Sequence, residues 1–185
     1  MSGFWSKVSD VHFSPDKFFE EVKGDGVAEP AKFAAKMGLL FGGLLSLIAV
    51  LLGLTTHGVP PLSVFFIAVA ALIVLPLFVL ADTMFQAGLV HLAVLFLGEK
   101  DFNKTYNAVA YPTTAIMTWR WIPGINILAV PYNIYLQTKG LETLHEIKTG
   151  KALIAAIWPL IFWMAISSIL IGGMAAASFV IGLEG

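Results

Sequence analysis

The sequence predicts an all-α integral membrane protein: a five-span helical bundle with a long second helix and a short N-terminal amphipathic helix. Three observations carry that expectation. From Met37 to Gly185 the chain is almost continuously apolar. Ten of its eleven Lys and Arg residues sit in three short segments. With 58% hydrophobic and 12% charged residues and a mean hydropathy of +0.84, the composition lies far outside the globular range.

The spans follow from length. A hydrocarbon core of about 30 Å needs about 20 helical residues. Ala34 to Leu54 meets that length, and Thr55-Thr56-His57-Gly58-Val59-Pro60-Pro61 reads as a tight polar turn. Its late start and length are wrong for a cleaved signal peptide, so it reads as an uncleaved insertion signal. The next run, Leu62 to Gly98, would be roughly 55 Å long as a straight helix, so it kinks, tilts or splits. Asn103 to Trp121 and Ile125 to Thr138 follow, divided by Ile122-Pro123-Gly124, and Ala152 to Leu183 is the last span.

Charge selects the topology. If Leu62 to Gly98 crosses once, to about Asp82, the five-span arrangement places Lys7, Lys17, Lys23, Lys32, Lys36, Lys100, Lys104, Lys139, Lys148 and Lys151 on one side and only Arg120 on the other. Two crossings would divide the cations almost evenly, whereas cytoplasmic loops carry an excess of Lys and Arg. The N terminus is therefore expected inside and the C terminus outside. Residues 1–33 form a cytoplasmic arm and 34–185 the five-helix transmembrane domain. In the arm, Ser14-Pro15-Asp16 is a helix start with a capping hydroxyl and Pro at the first position. Phe18, Phe19 and Val22 share a face opposite Glu20 and Glu21. The arm reads either as an interfacial amphipathic helix or as a flexible arm with a short helix packed under the bundle.

Within the spans, Ala34, Gly38, Gly42 and Ser46 recur at four-residue spacing, as do Ser168, Gly172 and Ala176. Small residues at that spacing let helix backbones approach closely, inside the bundle or across a homo-oligomer seam. Pro76, Pro112, Pro131 and Pro159 each remove an amide from a helix and free a carbonyl one turn earlier. Near these kinks lie Asp82, Gln86, Tyr111 and Asn133, which would line a polar cavity in a transporter, channel or lipid-handling protein. Glu142 and His145 stand three apart on one helical face. With His91 they are the candidate metal ligands, although the short pattern also suits an ordinary charged loop. Trp119-Arg120-Trp121 reads as an anchor at the outer interface.

A net charge of −1 without a basic stripe excludes nucleic-acid binding as an expectation. The absence of cysteine excludes disulfides and thiolate metal sites. No nucleophile elbow, phosphate loop or dinucleotide fingerprint occurs, so neither catalysis nor a cofactor is expected.

Taken in order, these residues resemble the Yip family, small five-span proteins named for interaction with Ypt and Rab GTPases. The likeness rests on Pro15-Asp16-Lys17-Phe18-Phe19, His91, Gly98-Glu99-Lys100-Asp101-Phe102 and Ala110-Tyr111-Pro112. It continues through Ile122-Pro123-Gly124-Ile125, Tyr135-Leu136, Gly140-Leu141, His145 and Lys151-Ala152-Leu153. The resemblance implies a non-catalytic membrane organiser or trafficking adaptor. Its partners would be the lipid bilayer, a second copy or a cytosolic protein. It also marks His91, Tyr111 and His145 as family-characteristic positions without an assigned role. The arm is shorter than in eukaryotic members and lacks their Asp-Leu-Tyr-Gly-Pro segment, so the compact form is similar to bacterial and archaeal relatives. The implied location is the cell membrane in a prokaryote, or Golgi and endoplasmic-reticulum membranes in a eukaryote.

Overall fold

The three longest apolar runs each fold as a single helix, whereas Asn103 to Trp121 breaks at Ile116; a continuous helix is how a backbone satisfies its own hydrogen bonds without water. The computed structural model describes residues 3–55, 60–120 and 122–183, with the side chains of Leu54, Arg120 and 173–183 left out. Helices are the only regular elements among the described residues: α1 (Phe4–Phe13), α2 (Pro15–Glu21), α3 (Ala28–Thr55), α4 (Pro61–Phe96), α5 (Phe102–Ala115), α6 (Met117–Arg120), α7 (Asn126–His145) and α8 (Thr149–Leu183). Three of them, α3, α4 and α8, are long and apolar enough to cross a membrane. The run from Leu62 does not split: α4 is one helix of 36 residues that continues through Pro76. Most of the expected turn, Thr56 to Val59, lies outside the described residues, as do Trp121 and the side chains of Arg120 and Ala176.

One end of the molecule is a hairpin of α3 and α4 held by backbone approach. A Cβ built on Gly38 would lie 2.5 Å from the Pro76 Cα, and one on Gly42 would lie 2.7 Å from the Ala71 carbonyl oxygen. One turn on, the Ser46 hydroxyl donates to the carbonyls of Gly42 and Ala68, each at 2.7 Å. Ala34, at the N-terminal end of the same stripe, is fully buried. Ser168 and Gly172, by contrast, are exposed on α8 with open space around Gly172. Large apolar side chains such as Leu47, Leu51, Phe65 and Phe66 also face outward here, as a lipid-facing surface requires.

The core sits at the other end. It joins α1, α2, the start of α3, the second half of α4, α5, α7 and the first turns of α8. Helix α5 is buried at every position from Thr105 to Ala115. Gly140 on α7 lets that helix close on it: an added Cβ would lie 2.8 Å from the Phe19 ring and 2.9 Å from the Ala108 Cα.

The arm belongs to this core. Val11 and Phe19 are fully buried, Phe18 and Val22 nearly so, and they join one cluster with Tyr111, Leu136 and Leu141. Of the two arrangements open for the arm, the short helix packed under the bundle is the one its contacts describe. The α2 helix begins at Pro15, but the Ser14 hydroxyl makes no capping bond. The preceding helix α1 is not foreshadowed in the sequence pattern. Asp101 does cap α5, its carboxylate accepting from the amides of Asn103 at 2.9 Å and Lys104 at 3.4 Å. Gly98, at φ +94°, supplies the left-handed turn that ends α4.

Candidate functional site

Polar side chains gather at three places away from the α3–α4 hairpin, and the candidate residues divide among them. The first place couples the arm to α5. The Tyr111 hydroxyl donates to the Asp25 carboxylate at 2.9 Å, and the Lys7 ammonium donates to the same hydroxyl at 3.3 Å. Lys7 also lies 3.8 Å from that carboxylate and 5.3 Å from the centroid of the Tyr111 ring. The Asn107 amide donates to the Asp25 carbonyl at 2.7 Å. Phe18 and Phe33 pack against the same tyrosine ring at 5.0 and 5.2 Å. A cleft of about 660 Å³ opens beside this junction, lined by Lys7, Asp25, Glu29, Lys32, Phe33 and Lys36 among others. Tyr111 therefore ties together segments more than eighty residues apart in the chain.

The second place joins two candidate histidines. His91 Nδ1 and His145 Nε2 each lie 3.0 Å from the Thr105 hydroxyl. A hydroxyl has one proton to give, so at least one of the two rings donates to it. On the far side of His145, Nδ1 stands 3.7 Å from a Glu99 carboxylate oxygen. Burial holds the His145 pKa below the usual imidazole value; Glu99 opposes this and Lys104 reinforces it. The neutral ring suits a chain of hydrogen bonds linking α4, α5 and α7.

Glu142 goes elsewhere. It accepts from the Thr149 hydroxyl at 2.6 Å, joining the end of α7 to the start of α8, and lies 3.8 Å from Lys139. Thus His91 and His145 meet while Glu142 does not join them, and both rings address a hydroxyl rather than a shared open point. Among the described residues no three His, Asp or Glu side chains are placed to hold a metal ion.

The third place is a pocket of about 330 Å³ between α4, α7 and α8. Asp82, Gln86 and Asn133 line it, together with Gln137, Pro159 and Trp163. The Gln86 amide donates to Asp82 at 2.8 Å, and Gln137 donates to Thr113 at 3.1 Å. Tyr111, grouped with these residues from the sequence, belongs to the first place instead.

Trp119, expected as an interface anchor, packs against α7 and the arm. It stacks on Tyr132 with ring centroids 5.2 Å apart and planes 12° apart, and its ring lies 5.1 Å from that of His12 at the end of α1. The Tyr132 hydroxyl donates to the His12 carbonyl at 2.6 Å. Burial also lowers the His12 pKa. Sequence reasoning missed Lys7, Asp25, Asn107 and Thr105, since nothing local links an arm residue to a helix face so far along the chain. The family model described as the Yip1 domain matches residues 9–181. No curated protein and no solved structure matches the chain.

Proposed function

The chain belongs to the Yip1 domain family, and we propose that it is a non-catalytic membrane organiser with three crossings, whose working face is a helical layer on the cytoplasmic side. In this reading α3, α4 and α8 cross the bilayer. The pair α5 and α7, with α6 between them, enters from the cytoplasmic side and returns to it, covered by α1 and α2. The N terminus is inside and the C terminus outside, as with five spans.

The contact of His12 with Trp119 and Tyr132 carries the proposal. Five spans would place Trp119 outside and the arm inside, separated by about 30 Å of hydrocarbon. Yet the two rings are 5.1 Å apart, and α1 has ten residues, about 15 Å of helix. Its first turns reach Tyr111 through Lys7, and its last turn reaches Trp119 through His12. Three crossings also remove the exception in the charge pattern. All eleven Lys and Arg residues, Arg120 included, then fall on one side, the bias that orients membrane proteins.

Such a layer presents a charged, folded surface for a cytosolic protein. Lys139 reaches Asp16 on the arm at 3.1 Å and Lys23 reaches Glu146 at 2.7 Å, while Lys17 and Glu20 remain outward. The exposed small residues Ser168 and Gly172 offer a close-packing face to a second copy. The reading is tested by affinity purification in mild detergent of the wild type and of the double variant Lys17→Glu/Glu20→Lys. The expected result is that the variant keeps its thermal stability and loses its co-purifying cytosolic proteins. Recovery of the same proteins by both would overturn it.

A second reading, lipid handling, is favoured by one observation: the pocket at Asp82 and Asn133 opens on the flank of the bundle among exposed apolar side chains.

A further inference from the structure

The pocket between α4, α7 and α8 carries acceptors with no cationic side chain beside them, although the Gln86 amide already donates to Asp82 at 2.8 Å. Asp82 contributes a carboxylate, and none of the lining residues is Lys, Arg or His. Asn133 is 9% exposed, and its side-chain carbonyl has no hydrogen-bond partner among the described residues. Gln137, 3% exposed, uses its amide nitrogen on Thr113, which leaves its carbonyl oxygen as an acceptor. A buried carbonyl without a partner is costly, and here it borders a cavity together with a carboxylate. An occupant that satisfies this lining brings hydrogen-bond donors and positive charge.

The rim narrows the choice further. Phe78 and Trp163 are both about half exposed or more, at 61% and 49%, and Val130 and Leu160 are exposed beside them. The entrance is therefore apolar and aromatic, and Trp and Phe faces attract cations. Its floor lies where α4 passes from the outer hairpin to the inner layer, at the depth of Asp82. The volume of about 330 Å³ is at the small end for ligand pockets.

We propose that this pocket binds a primary ammonium group, presented by the headgroup of a membrane lipid entering from the side. Three ammonium hydrogens match three acceptors, Asp82, Asn133 and Gln137, while the lipid tails stay outside against Phe78, Leu160 and Trp163. The proposal uses no partner protein and stands apart from the adaptor reading, since a chain that binds no cytosolic protein would keep the pocket.

The test is binding of tail-labelled phosphatidylethanolamine to the full-length protein in detergent, with phosphatidylglycerol as the anionic counterpart and free ethanolamine as competitor. The expected result is retention of phosphatidylethanolamine over phosphatidylglycerol. Affinity should fall roughly tenfold or more in Asp82→Asn and Asn133→Leu, as removal of a partner from a charged hydrogen bond does, with Asp82→Glu retaining it. If free ethanolamine competes at the same concentration as the lipid, the ammonium chemistry stands and the source is a soluble amine. Equal binding of both lipids, or unchanged affinity in Asp82→Asn with native helicity, would overturn the proposal.

Discussion

The outer hairpin and the inner layer are made of the same kind of helix but are held together differently. In the hairpin, α3 and α4 touch through Gly38, Gly42 and Ser46, while leucines and phenylalanines point away from the protein. In the inner layer, Val11, Phe19, Tyr111, Leu136 and Leu141 are fully buried, and hydrogen bonds run from the arm to α5 and α7. The difference follows from the solvent. Apolar side chains gain little by leaving lipid, so the hairpin depends on close backbone packing. On the proposed three-crossing topology water is the alternative for the inner layer, so burial drives its assembly.

This contrast is sharpened most by substitutions at the hairpin seam. Gly38→Val places a side chain against the Pro76 backbone and is expected to cost about 3 kcal/mol, the upper range for overpacking, read as a lower melting temperature in detergent. A tolerated Gly38→Val would mean that the hairpin does not rely on backbone approach. In the inner layer, Tyr111→Phe removes the hydroxyl between Asp25 and Lys7 and is expected to cost about 1–3 kcal/mol. Its signature is faster proteolysis of the arm, with the hairpin protected as before.

Acid should also act on the inner layer. Both His12 and His145 have pKa values lowered by burial from 6.5. Each therefore stays neutral in the folded state at pH values where the unfolded chain is already protonated. Stability is unaffected above pH 6.5 and is lost as pH falls from that value toward the folded pKa. Thermal melts between pH 7.5 and pH 5 should show a falling midpoint, less steep in His12→Gln; a flat profile would contradict the burial of these rings. The smallest effect belongs to Gly172→Ala on the exposed part of α8, where the space is open. It should stay within about 0.5 kcal/mol of wild type. A larger loss in melting temperature would point to a second copy packed there.

Much of the outer region was legible in the sequence. Run length announced α3, α4 and α8, and the four-residue spacing of Gly38, Gly42 and Ser46 marked a close-packing face. The start of α2 at Pro15 was equally plain. Run length alone does not choose between the five spans expected from the sequence and the proposed three crossings, because Asn103 to Trp121 is as long as a span and a Pro-Gly turn follows it. The composition of α5 is what favours three: it carries Asn103, Lys104, Thr105, Asn107, Thr113 and Thr114, a polar load that suits burial in protein better than contact with lipid. The junction of Lys7, Asp25 and Tyr111 left no trace in any local pattern, since it exists only once the arm folds back. For the same reason the sequence grouped Tyr111 with Asp82 and Asn133, and Glu142 with His91, which the fold separates.

The most direct test of the account is the side of the membrane on which the tip between α6 and α7 lies. The chain has no cysteine, so single replacements can be labelled in intact cells with a membrane-impermeant maleimide. Asn126→Cys is exposed at the tip, Ser14→Cys marks the arm and Thr55→Cys marks the outer end of α3. Three crossings predict that Asn126→Cys behaves like Ser14→Cys, protected until the cells are permeabilised, while Thr55→Cys reacts from outside. Labelling of Asn126→Cys from outside as readily as Thr55→Cys would restore five spans and contradict the account.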